Sequence, residues 1–139
     1  MIAVADTGFV VALLHRGDKN HQAAASIYQQ IQAAHLPQSA LAEVAYLLTH
    51  RASSDAVVEL LKRLPTSKLI STALTDEDLA STASILQQYR SSRIDFVDAT
   101  VMAVAERLTI TTILTVDYRD FRLYRPTHSP FFTLLPHES

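Results

Sequence analysis

The chain opens on Ile2-Ala3-Val4-Ala5-Asp6-Thr7, four apolar residues stopped at once by an aspartate and a threonine. So short an apolar run, with no polar alternation, reads as a strand buried on both faces. Its counterpart lies far along the chain, at Thr112-Ile113-Leu114-Thr115-Val116-Asp117, again β-branched, apolar and ended by an aspartate. A third strand reads at 69–74, and the stretches between carry helical spacing. Residues 9–14 begin a helix with Asp6 or Thr7 as N-cap; 21–34 are amphipathic, with Ala24, Ile27, Tyr28 and Ile31 on one face. Residues 39–51 form a helix capped by Ser39, and Ser53 caps another that runs to about Leu64 and stops at Pro65. Thr75, followed by Asp76, Glu77 and Asp78, opens a helix to about Arg90, and 95–108 form one more. Leu36-Pro37-Gln38 fits an edge-like strand, 117–130 read as irregular, and 131–135 fit a last strand. Strands alternating with helices imply crossover connections, hence a parallel sheet with helices on both faces. The expectation is a three-layer α/β domain, 1–139 as one unit, with more helix than strand.

Composition removes several function classes. The two glycines, Gly8 and Gly17, are too far apart for a phosphate-cradling loop. With no cysteine, disulfides, thiolate zinc sites and cysteine nucleophiles are excluded together. No Gly-x-Ser-x-Gly elbow and no His-Glu-x-x-His pair is present. Met1 to Asp6 has no basic leader, and no apolar stretch nears the roughly 18 residues of a membrane span, so a cytoplasmic protein is expected. Twelve basic side chains face fourteen acidic ones, a net charge of −2. With four acids committed to cations, twelve would face ten, a remainder of +2, so charge alone does not decide on nucleic acid.

The acids carry the chemistry. In open parallel sheets ligands bind beyond the carboxyl ends of strands, where strand order reverses. Asp6 and Asp117 stand at two such ends, each also readable as a helix or turn cap. Glu43 is the one charged residue in Ala40-Leu41-Ala42-Glu43-Val44-Ala45-Tyr46-Leu47-Leu48. A helix apolar nearly all round is buried, and a buried carboxylate must be paired, protonated or metal-bound. Its plain alternative is a salt bridge to Arg51, Arg90 or Arg93. Asp95 and Asp98 open the helix at 95–108, Asp95 as its cap or a supporting group and Asp98 as the ligand. Carboxylates gathered in one place repel unless cations neutralise them, and all-oxygen ligation suits Mg²⁺ or Mn²⁺. Such ions bind phosphate, acidify water and stabilise a leaving oxygen.

At these residues the chain resembles the PIN-domain ribonucleases, particularly the toxin half of VapC-type toxin–antitoxin pairs. The likeness rests on Val4-Ala5-Asp6-Thr7, Leu41-Ala42-Glu43-Val44, Phe96-Val97-Asp98-Ala99 and Leu114-Thr115-Val116-Asp117, the last followed by Arg119-Asp120-Phe121. It implies an α/β/α sandwich on a five-stranded parallel sheet, with Asp6, Glu43, Asp98 and Asp117 holding Mg²⁺ or Mn²⁺. Ser39 or Thr115 would assist, with Thr7 and Asp95 as further supporting residues. It also implies an RNA substrate, an inhibitory antitoxin partner and a homodimer. One segment departs from the family pattern: Tyr118 to Arg125 interleaves Arg119, Arg122 and Arg125 with Tyr118, Phe121 and Tyr124. It either binds RNA or packs. The cluster Lys62-Arg63…Lys68 reads as a solvated surface.

A phospho-acceptor receiver, also small, α/β and acidic at strand ends, fails on three counts. Asp6 has no acidic neighbour, no aspartate closes 69–74, and no lysine follows Lys68. The remaining alternative keeps the fold as a catalytically inactive RNA- or protein-binding module, against which the four acids argue.

Overall fold

The computed structural model describes residues 1–137. Its strands are β1 (Ile2–Ala5), β2 (Ala33–Pro37), β3 (Leu69–Thr72), β4 (Thr112–Leu114) and β5 (Thr133–Leu135). The helices are α1 (Thr7–Leu14), α2 (His21–Gln30), α3 (Gln38–Arg51), α4 (Ser54–Arg63), α5 (Asp76–Gln88), α6 (Phe96–Arg107) and α7 (Tyr118–Leu123), and one 3-10 turn spans Leu64–Thr66.

All four strand pairs are parallel, in the order β3-β2-β1-β4-β5. The chain builds outward from β1 to β3, then returns to lay β4 on the other side of β1. The strand order therefore reverses between β1 and β4, where Val4 pairs with Ile113 and Ala5 with Leu114.

Side-chain alternation along the strands feeds two cores. Ala3, Ala5, Ala34, Leu36 and Leu114 pack with α1 to α4, through Phe9, Ala24, Val44 and Leu60 among others. Val4 and Ile113 point the other way and pack with α5, α6 and α7, through Ile85, Met102 and Phe121. These are the two outer layers of an α/β/α sandwich. Across the second layer, Arg107 of α6 reaches buried Asp78 of α5 at 2.8 Å.

Several local expectations need correction. The helix at 21–34 stops at Gln30, and Ala33–Pro37 is strand. That strand lies inside the sheet, between β1 and β3, and is not an edge. Sheet pairing overrides the helix preference of Ala33 and Ala34. Ser39 caps nothing: α3 starts at Gln38 behind Pro37, and the Ser39 hydroxyl is engaged elsewhere. Nor is α3 buried all round. It buries the stripe Ala40, Val44, Leu48, while Tyr46 is 62% exposed and Glu43 partly buried. The stretch at 117–130 is not wholly irregular, since it contains α7.

The caps at Ser53, Thr75 and Asp95 are as expected, the last two as reciprocal capping boxes with Asp78 and Asp98. The end of α6 is a Schellman turn, Ile110 N–H to Ala105 O at 2.8 Å and Thr109 N–H to Glu106 O at 3.2 Å. Thr109 sits in its left-handed position, at φ 56°.

Candidate active site

At the reversal point between β1 and β4 lies a cleft of about 290 Å³, walled by Asp6, Thr7, Gly8, Glu43, Leu47, Arg93, Asp95, Asp98, Asp117 and Asp120. Each comes from a different local cause. Asp6 leaves β1 in extended conformation and begins α1 without capping it through its side chain. Glu43 stands on the second turn of α3, beside that helix's buried stripe. Asp98 is the third residue of α6, and Asp117 precedes α7.

Asp6 is the floor. It is only 6% exposed, and burial lifts its carboxyl to about 7. The charges of Glu43 and Asp117 push in the same direction, while the Thr7 backbone and the Thr115 hydroxyl hold it down. Thr115, wholly buried just past β4, donates to Asp6 Oδ2 at 3.2 Å or to the Asp117 carbonyl at 3.1 Å, one proton serving one acceptor at a time. The Asp117 amide returns a bond to the same hydroxyl at 3.0 Å. One threonine thereby fixes two of the acids.

Asp98 is partly buried, and its carboxyl is raised to about 8 by burial and then by the charges of Asp6 and Asp95. Its Oδ2 accepts the Asp95 amide at 3.2 Å, and Asp95 Oδ1 accepts the Asp98 amide at 2.9 Å. Asp95 is thus both cap and cleft wall. Two tight contacts hold the walls in place. Thr100 commits its proton to the Val97 carbonyl at 2.6 Å, so Ser39 donates to Thr100 Oγ1 at 2.7 Å and ties α3 to α6. A Cβ on Gly8 would stand 2.8 Å from Val116 Cγ2, so only glycine lets the first turn of α1 approach the loop that carries Asp117.

The four acids singled out in the sequence line this one cleft. Among the described residues Glu43 has no ion pair, which removes its arginine alternative. Neither Ser39 nor Thr115 lines the cleft; Ser39 braces two helices and Thr115 lies beneath Asp6. Thr7 does line it, and its buried Oγ1 has no hydrogen-bond partner among the described residues. The sequence offered Arg93 only as a salt-bridge partner of Glu43 and Asp120 only as part of the motif after Asp117, and it gave Gly8 no place at the site. Asp120 is 5% exposed and follows Asp117 by three residues, a same-face helical spacing visible only once α7 is recognised.

The donor set is all oxygen, the choice of a hard divalent cation. A buried carboxylate that holds its proton near neutrality, acidic neighbours and an unpartnered hydroxyl fit such an ion. Among the described residues no three acidic or histidine side chains are drawn into a closed ligand shell, so the acids stand around an open cleft.

Fold and cleft together define an α/β/α sandwich of the PIN type, with its acids at the switch point of a five-stranded parallel sheet. The PIN domain family model matches residues 3–125, and the chain belongs to that family. In sequence it is similar to Ribonuclease VapC26 of Mycobacterium tuberculosis, 28% identical over 134 residues that make up 96% of this chain and 99% of that one. In structure it is similar to Mycobacterium tuberculosis VapC20, described as a sarcin-ricin loop cleaving toxin. That match has a TM-score of 0.76 at 23% identity and covers 86% of this chain and 94% of that one. VapBC2 of Rickettsia felis, solved on a DNA fragment from its promoter, matches with a TM-score of 0.68 at 14% identity over 96% and 97% of the two chains.

Proposed function

We propose that this chain is a single-domain endoribonuclease dependent on Mg²⁺ or Mn²⁺, and the toxin half of a toxin–antitoxin pair in the cytoplasm. Asp6 carries this reading: a buried carboxylate with a raised pKa, at the switch point, sharing its cleft with Glu43, Asp98 and Asp117. The ribonuclease name of its sequence relative and the toxin names of two structural neighbours support the same reading.

In this proposal Asp6, Glu43, Asp98 and Asp117 hold the cation, and Asp120 adds negative charge beside Asp117. When bound, the ion supplies Lewis acidity toward a phosphoryl oxygen and lowers the pKa of water. Asp6 and Asp98, their carboxyls raised to about 7 and about 8 chiefly by burial, would have to be charged to serve as ligands, so uptake of the ion would be coupled to proton release. Thr115, beneath Asp6, donates to its Oδ2 in turn with the Asp117 carbonyl. Arg93 at the cleft wall offers positive charge to a phosphate.

The test is cleavage of single-stranded RNA with Mg²⁺ or Mn²⁺ and in excess EDTA. Cutting is expected only with the ion, and Asp6→Asn or Asp98→Asn should remove nearly all of it while circular dichroism shows the fold intact. Undiminished cleavage in EDTA would overturn the proposal. The partners proposed are a second copy of this chain and an inhibitory antitoxin that offers an arginine or lysine to the acids. Solved neighbours include toxin–antitoxin complexes, one of them from Klebsiella pneumoniae. A strictly monomeric chain, harmless when expressed alone, would count against both partners.

A further inference from the structure

The acidic cleft has a cationic exit. Asp117 lines both the cleft and a second hollow, of about 630 Å³, whose other walls include Tyr118, Arg119 and Arg122. Tyr118 and Arg122 in turn line a third hollow of about 630 Å³, which adds Arg125, Phe131 and His137. Three cavities thus share walls in series, running from the carboxylates along α7 to an aromatic end.

Charge is sorted across α7 and the residues just after it. Asp120 turns inward to the acids, while Arg119, Arg122 and Arg125 are exposed. Among the described residues Arg119 and Arg125 have no acidic partner. Arg125 hydrogen-bonds the carbonyls of Arg122 and Tyr124, which fixes the guanidinium without cancelling its charge. The guanidinium of Arg122 lies 5.5 Å from the centre of the Tyr118 ring. Phe131, 64% exposed, adds little to either core and presents an open aromatic face.

A polyanion entering a cleft of six carboxylates must be held by positive charge outside it. We infer that the α7 face is the track that holds a single-stranded RNA on one side of the scissile phosphate, Arg119 and Arg125 on its phosphates and Phe131 stacked on an unpaired base. Guanidinium groups suit phosphate, and stacking on phenylalanine requires a base free of a duplex. The track spans about 9 Å along α7 alone, from the rise of six helical residues, and its contacts lie beyond the acids. It rests on the nuclease reading and names how that site takes its substrate.

The test measures binding of a fluorescein-labelled uridylate 15-mer, checked intact afterwards, by anisotropy across a salt series. Arg119→Gln/Arg125→Gln is expected to weaken binding about tenfold. It should also flatten the plot of log affinity against log salt by about 0.7 for each phosphate no longer neutralised. Arg119→Lys/Arg125→Lys should restore the slope. Phe131→Ala should weaken binding about tenfold, from the removal of one stacked base, with the slope unchanged. In cleavage assays the weakened binding of both variants should appear in KM for a long RNA and leave kcat nearly unchanged. If the parent cuts RNA while these variants keep its Kd, slope and KM, the track is overturned and the nuclease stands. The track is overturned equally if the variants only shift a dimer to monomer in sedimentation. If the parent neither binds nor cuts any RNA with Mg²⁺ or Mn²⁺, the nuclease reading falls and the track with it.

Discussion

Thr115 and Asp6 meet across the β1–β4 pair, hydroxyl to carboxylate at 3.2 Å, although 109 residues separate them in the chain. The contact lowers the pKa of a carboxyl that burial raises, so it favours the charged form a cation needs. Thr115→Val should keep the shape, lose the bond and weaken Mg²⁺ binding by about 10- to 100-fold, the usual effect of removing a group that orients a ligand. Thr115→Ser should retain most of the affinity. Calorimetric Mg²⁺ titration of the three proteins checks this, and equal affinities would deny Thr115 its orienting role.

In the cation-free chain Asp6 and Asp98 are raised from 3.8 to about 7 and about 8. A carboxyl whose folded pKa exceeds its unfolded value stabilises the fold fully below the unfolded pKa. That contribution is lost as pH climbs through the folded one. In EDTA the melting temperature should therefore fall between about pH 5 and pH 8. Asp78, held below the usual carboxylate range by its bonds to Arg107 and Thr75, acts in the opposite sense but at more acid pH. Asp98→Asn should flatten the decline and be the more stable protein at pH 8, by about 1 kcal/mol once its partial exposure is allowed for. Millimolar Mg²⁺ should raise the parent's melting temperature and the variant's much less. A destabilised variant that still responds fully to Mg²⁺ would remove Asp98 from the cation site.

Asp120 is nearly buried, faces the cleft and has no side-chain partner among the described residues. Asp120→Asn should leave the fold intact and raise the Mg²⁺ concentration needed for half-maximal cleavage by about tenfold. An unchanged Mg²⁺ dependence would leave Asp120 as an inner residue of α7 and no more.

Thr109 occupies the left-handed position of the turn that ends α6, a place that favours glycine. Thr109→Gly relieves that strain, partly offset by the freedom glycine adds to the unfolded chain. A gain of up to about 1 kcal/mol is expected, seen as a rise of about 3 °C in the melting temperature. Cleavage should not change, because Thr109 lies at the far end of α6 from Asp98. A lower melting temperature would show that the threonine side chain contributes more than its backbone costs.

Local sequence carried much of this fold, and its failures share a cause. Short apolar runs ended by Asp6 and Asp117 marked β1 and β4, and the hydroxyls and acids at Ser53, Thr75 and Asp95 marked helix starts. Those signals reside within a few residues. The interior place of β2 depends on pairing with Ile2–Val4 and with Leu69–Thr72, which no local pattern encodes. Ser39 looked like a cap because a hydroxyl before an apolar run usually is one; its actual partner, Thr100, is 61 residues away. With six residues, two of them arginines, α7 is too short to show a period, so the sequence displays Asp120 and its neighbouring arginines but not which way each one faces.

The β1–β4 pairing also sets when the molecule becomes whole. Translation delivers Asp6, Glu43 and Asp98 while Thr115 and Asp117 have yet to leave the ribosome. Until β4 slides in beside it, one edge of β1 is bare and Asp6 lacks its threonine. Contacts between such distant segments must first meet a large loop-closure entropy and are slow to form. A half-made copy therefore carries its acids without the cleft they line, and β4 with the loop behind it completes that cleft.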